Sequence, residues 1–182
     1  MHLGNFKFFY IMVLVLWFQS NSAIGQSKVQ LEELSKVSFQ IKSFGINVDG
    51  TFQNYVIRVE MDTLSLKDSY IHARIPVSTI ETGIGKRNKH LLEKKYFSET
   101  EYPDMLYESL TITRSGKETF IASGLITIKG VQQNISIPFQ LVTKSNHSYL
   151  LAEFELNRLD FGVGTKTWTM SDIVKIEVSQ EF

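Results

Sequence analysis

The sequence predicts an all-β fold, an antiparallel up-and-down barrel of eight strands with a short helix inserted between the third and the fourth. Two observations carry that expectation. Apolar and polar residues alternate with period two over most of the chain beyond residue 35, as they do in strands with one buried and one wet face. The alternating segments follow one another in meander order, and closing such a sheet into a barrel removes its exposed edges. A third observation limits what holds the fold together. The chain has no cysteine, which excludes disulfides, thiolate catalysis and thiolate metal sites.

A leader precedes the strands. Lys7 stands before an unbroken apolar run at residues 8–18, polar Gln19, Ser20, Asn21 and Ser22 follow, and Ala23, Ile24 and Gly25 supply small residues before a cut. Residues 1–25 therefore read as a secretory signal peptide cleaved before Gln26, and 26–182 as one exported domain, periplasmic or secreted. The run falls well short of the roughly 20 apolar residues of a membrane span, and with no cysteine to acylate no stable membrane anchor is expected. Removing the leader takes Lys7 with it and leaves a domain one negative charge from neutral. That balance offers no electrostatic basis for binding nucleic acid or a strongly charged membrane surface.

The first strand is read from Val37, Phe39 and Ile41 against Ser38, Gln40 and Lys42, and the second from Tyr55, Ile57, Val59 and Met61 against Arg58, Glu60 and Asp62. Ile71, Ala73, Ile75 and Val77 make the third, with Pro76 placing its end at an edge or outside the sheet. The fourth covers about 105–113. Phe120, Ala122, Gly124, Ile126 and Ile128 form the fifth, and the turn at Lys129-Gly130 leads to the sixth through Ile135, Ile137, Phe139 and Leu141. A second turn at 144–147 precedes the seventh at 149–156, and the eighth covers 174–180. Two segments interrupt the alternation: 83–103, where 86–95 reads as a short basic helix, and 157–172, a Gly-containing loop with Phe161 and Trp168. Insertions of this length in a compact domain commonly cap a mouth or bind something.

Read in order, these segments resemble the YceI-like family of exported, lipocalin-like barrels associated with polyisoprenoid binding. The resemblance runs from Val37 to Val178. It rests on Ser38-Phe39-Gln40-Ile41, Phe44-Gly45 and Gly50-Thr51-Phe52. It continues through Ser78-Thr79-Ile80-Glu81-Thr82-Gly83, Arg87-Asn88-Lys89-His90-Leu91, Tyr96-Phe97, Tyr102-Pro103 and Glu108-Ser109. Gly124-Leu125-Ile126-Thr127-Ile128-Lys129-Gly130-Val131, Asn157-Arg158-Leu159-Asp160-Phe161-Gly162-Val163 and Ser171-Asp172 complete it. The chain departs from the family pattern at Lys42-Ser43, where a histidine is common, and at Asn88, where an aspartate is expected.

Alternation alone fits a barrel packed with its own side chains as well as one holding a small ligand. The resemblance implies the second, with an isoprenoid or another long apolar lipid as the occupant. An apolar lumen would select such a ligand by buried area, at about 0.8 kcal/mol per CH₂. The candidate lining residues are Phe39, Ile41, Val59, Met61, Ile71, Ala73, Ile75, Ile126, Ile128, Ile137, Phe139, Phe154 and Ile176. Arg87 and His90, on the inserted helix, are candidates for contacting a ligand head group. A solvated helix face, or hydrogen bonds that pin the loop, explains them equally well.

Arg158 and Asp160 are expected to pair and hold the last loop. Catalysis has little support: beyond the leader the histidines are His72, His90 and His147, with no metal-binding spacing and no nucleophile elbow. No metal, cofactor or catalytic residue is expected. The competing reading is a packed barrel that binds a protein partner through its end loops. Tyr70, Tyr149 and Trp168, if they lie on the surface, would suit a homodimer.

Overall fold

The computed structural model describes residues 35–182. The expected signal peptide and its expected cut before Gln26 lie outside them. Nine strands form one antiparallel sheet: β1 (Ser35–Ser43), β2 (Ile46–Phe52), β3 (Val56–Glu60), β4 (Tyr70–Pro76), β5 (Asp104–Arg114), β6 (Thr119–Ile128), β7 (Val131–Lys144), β8 (His147–Asn157) and β9 (Met170–Glu181). Their spatial order is β2-β1-β9-β8-β7-β6-β5-β4-β3. The predicted all-β barrel is present, and the helix α1 (Gly85–Leu92) lies in the connection from β4 to β5.

Two expectations are corrected. Among the described residues there are nine strands rather than eight, because residues 46–52 form β2, paired with β1 from Ile46↔Ser43 to Phe52↔Val37. Asn47, Asp49 and Gly50 weaken its strand signature. Gly50 also leaves a gap in the apolar phase, and the ring of Phe39 occupies that space: a Cβ at Gly50 would lie 2.3 Å from Phe39 Cζ. The sheet also does not close by hydrogen bonding. β2 and β3 are its two ends, and the outer edge of β2 is partly covered by a bridge between Thr51 and Glu81.

The core falls into two clusters. Ile71, Ile112, Phe120, Ala122, Phe139 and Leu150 make one, joined by Val59, Met61, Leu66 and Leu141. It lies where the β3–β4, β5–β6 and β7–β8 connections gather, at the floor of the barrel. The other unites Val37, Phe52, Val77, Ile80, Met105, Ile126, Ile128, Phe161 and Val163 with Leu91, Leu92, Tyr96 and Phe97 of the inserted segment. A register shift in β5 between Ser109 and Thr111 faces Gly124. There the backbones approach so closely that a Cβ on Gly124 would sit 2.1 Å from the Glu108 carbonyl oxygen, a position open only to glycine.

Candidate functional site

A cavity of about 270 Å³ lies inside the barrel. Alternation turns every second side chain inward, so each strand contributes to its wall. Phe39, Ile41, Ile71, Ala73, Ile75, Ile126, Ile128, Ile137, Phe139, Phe154 and Ile176 line it, as the sequence suggested. Val59 and Met61 do not. β3 carries their phase toward the floor, where they pack against the Phe120 cluster. Sequence reasoning missed Val48, Phe52, Leu91, Tyr96, Phe97 and Phe161, which come from the unread strand and from the two insertions, where period-two reasoning gives no inward phase. It also left out Val37, Ile57, Ala122 and Val178, which line the cavity from strands that were read.

The cap over this lumen is joined by a few polar contacts. Thr82, buried, is the hub of the inserted segment: its N–H and Oγ1 both donate to Asn88 Oδ1, at 3.0 and 2.6 Å. Arg87 Nε donates to Thr82 Oγ1 at 2.8 Å and Arg87 Nη2 to the Thr82 carbonyl at 2.6 Å. Arg87 lines the cavity, but these bonds make it first a pin of the loop. Asn88, standing where the family pattern has an aspartate, also hydrogen-bonds the Glu81 carboxylate and, with the Gly83 N–H, holds that carboxyl below its ordinary range. His90 lies outside the lining. It is exposed, 3.7 Å from Glu93, with its ring against that of Tyr96.

Arg158 was expected to pair with Asp160 and instead turns inward. Asp160 is exposed. The Arg158 guanidinium is buried and donates to the carbonyls of Ser171, Val163 and Thr165 at 2.9, 2.8 and 3.1 Å, and to Asp172 Oδ1 at 3.2 Å. A planar fork of five donors suits such a set of acceptors better than a point charge would. Gly164, at φ +72°, passes close by: a Cβ there would meet Arg158 Nη1 at 2.9 Å and Tyr96 Cε1 at 3.0 Å.

Gly164 N–H donates to the Lys95 carbonyl, joining the two insertions. Lys129, in the β6–β7 turn, reaches the carbonyls of Gly162 at 2.7 Å and Lys95 at 3.3 Å, and burial lowers its pKa. Phe39, Phe52 and Phe97 make a chain of ring contacts, 5.5 and 6.4 Å between centroids, that carries the wall into the cap.

The wall of this site is almost entirely apolar. Among the described residues no group of three His, Cys, Asp or Glu side chains is placed to hold a metal ion. Half-buried Tyr107 donates its hydroxyl to the Ala122 carbonyl at 3.0 Å, and burial pushes its phenol up to about 12. Four of the five N–H donors of the Arg158 guanidinium are engaged by the contacts above. What remains facing the cavity is overwhelmingly aliphatic and aromatic surface.

Comparison with known proteins places this architecture. A family model described as the YceI-like domain matches residues 30–182. The Protein YceI of Shigella flexneri is 23% identical over 175 residues, covering 91% of each chain. The crystal structure of Burkholderia cenocepacia BcnA superposes with a TM-score of 0.77 at 23% identity, covering 81% of this chain and 96% of that one. A polyisoprenoid binding domain from Saccharophagus degradans, implicated in plant cell wall breakdown, superposes with a TM-score of 0.61 at 12% identity, covering 80% and 91%.

Proposed function

The chain belongs to the YceI-like family, and on that premise we propose that it is an exported, non-enzymatic carrier that holds an isoprenoid or similar long apolar lipid in its lumen. The observation that carries this reading is the cavity itself: about 270 Å³ of space walled by Phe, Ile, Leu, Val and Met side chains inside an otherwise well-packed barrel. Left unfilled, a space of that volume forfeits on the order of 6 kcal/mol of packing at about 24 cal/mol per Å³. That is a large share of a typical domain stability of about 5–15 kcal/mol. Water recovers little of it, because an apolar wall offers few hydrogen bonds.

A chain of CH₂ and isoprene units recovers it by burial and dispersion. The polyisoprenoid-binding relative of the same fold supports this class of guest. The rim groups nearest a head group are Arg87, Thr82 and Tyr96, which line the cavity at the cap. Arg87 is the head-group contact we propose, with His90 supporting it through Tyr96. The competing packed-barrel reading requires a filled interior, and the cavity weighs against it.

The test is native mass spectrometry of protein purified without detergent, followed by organic extraction and titration with polyprenyl compounds. A co-purifying apolar molecule of defined mass, or a melting temperature raised by an added polyprenyl compound, is the expected result. A clean protein whose mass and melting temperature ignore every added polyprenyl compound would rule the carrier reading out.

A further inference from the structure

We propose that the β1–β2 turn and the β8–β9 loop together form a membrane-docking lip that sets the mouth of the lumen on an anionic bilayer surface. Phe44, Ile46 and Trp168 are 74%, 66% and 95% exposed. The turn and the loop are fastened side by side, because the Phe44 N–H donates to the Thr169 carbonyl at 2.6 Å and Ser43 pairs with Met170. Immediately next to these aromatics the chain turns inward: Ser43, Val48 and Met170 line the cavity. The apolar patch is therefore continuous with the lumen wall.

Phe44 also stands where local chemistry argues against it. The turn has φ of +50° at Phe44 and +79° at Gly45, the two-positive-φ geometry that hairpins usually fill with Asn-Gly. The other hairpin turns of this shape carry Lys129-Gly130 and Ser145-Asn146. A bulky aromatic in the left-handed region is strained, and an exposed one forfeits burial as well. Backbone strain held at an exposed apolar tip is a mark of function.

A lipid surface is the partner that fits. Trp and Phe favour the boundary between headgroups and acyl chains. Lys42 and Lys166, each two positions from an exposed aromatic of the lip, are exposed and form no ion pair among the described residues. Nearby Asp172 is paired with Arg158, and the exposed carboxylates of Asp49 and Asp160 stand further along the chain from Phe44 and Trp168. The near-zero net charge of the chain thus hides a locally cationic edge, complementary to anionic headgroups. A long apolar guest has no favourable path through water, so a carrier exchanges it where mouth and bilayer touch. The lip rests on the carrier reading for its purpose, but not for its test.

The test is flotation of the purified protein with vesicles of phosphatidylcholine alone and of phosphatidylcholine and phosphatidylglycerol in equal parts, with no polyprenyl guest added. The native protein is expected to float with the anionic vesicles and to be released by salt. Trp168→Ser and Phe44→Asn should each weaken binding by about tenfold, the equivalent of one aromatic side chain withdrawn from the interface. Since asparagine suits that turn, Phe44→Asn should melt no lower than the native protein, which separates lost docking from lost folding.

Absence of binding to either vesicle, equal binding to both, or native-like binding by both variants would overturn the proposal. So would a concentration-dependent dimer that Trp168→Ser abolishes while vesicles go unbound, which would assign the lip to a second copy of this chain. Failure here leaves guest binding by the lumen standing, and failure of guest binding leaves the docking measurement intact.

Discussion

The floor of the barrel and its cap close the same lumen by opposite means. At the floor the closing side chains come from the strands themselves. Phe120, 1% exposed, stacks on Phe139 at 5.4 Å and 20°, and Ile112 and Leu150 fill in around them. Two of the connections there, β5–β6 and β7–β8, are short turns. At the cap the closing side chains come from two insertions, the β4–β5 and β8–β9 connections. The first is held by hydrogen bonds around Thr82 and the second by those of Arg158, with Lys129 reaching both, rather than by ladder pairing. The floor is thus part of the cooperative sheet, whereas the cap is a separate polar assembly laid over an apolar space. Elements that must move to admit a ligand are drawn from the less cooperative parts of a structure, and here that part is the cap.

The widest difference should come from truncating one phenylalanine at each level of the lumen. Phe120→Ala removes the filled floor and is expected to cost about 3–5 kcal/mol by urea unfolding. Phe154→Ala, in the wall of an existing cavity, enlarges a space that the protein's own side chains do not fill and should cost about half as much while weakening guest binding. Equal losses at the two positions would mean that the lumen is as tightly packed as the floor, and the distinction would fall.

Arg158 probes the cap from within. Replacing it by alanine strands the carbonyls of Ser171, Val163 and Thr165 and the Asp172 carboxylate, for an expected loss of about 3 kcal/mol. That loss should be confined to the cap. Amide hydrogen exchange should accelerate across 158–165 and across 82–97, which is joined to it through Gly164 and Lys95, while β5, β6 and β7 near Phe120 keep their protection. Uniform acceleration over the whole sheet would show that cap and floor are one cooperative unit.

The wall was largely legible in the sequence because a period of two is a direct consequence of the pleat. Wherever alternation was clean, as from Phe120 to Ile128, the inward phase was correctly assigned. β2 escaped because its inward phase passes through Gly50, a gap that makes sense only once the Phe39 ring is seen to fill it. The cap was illegible in detail for a different reason. Its residues meet partners by loop geometry, so Arg158 finds Asp172, fourteen positions away, rather than Asp160, two away. Likewise Tyr149, expected on the surface as a dimer contact, is buried in β8 at 4% exposure, while Trp168 is exposed. β-alternation places wall residues well, and nothing local places those whose neighbours come from other turns.

Tyr107 joins the two regions and offers the smallest effect. Its ring packs against both clusters and its hydroxyl donates to the Ala122 carbonyl, so Tyr107→Phe should cost about 1 kcal/mol near neutral pH. Burial raises the phenol from 10.0 to about 12. The native state therefore keeps its proton where the unfolded chain has released it. The stability this contributes is fully present below pH 10.0 and is lost as pH rises toward about 12. The native protein should lose its advantage over Tyr107→Phe across that window, and urea midpoints of the two proteins measured from neutral to alkaline pH should converge and cross. Curves that stay parallel would mean that water reaches the phenol freely from the lumen, and the boundary between hollow and filled would then lie nearer the floor than Tyr107.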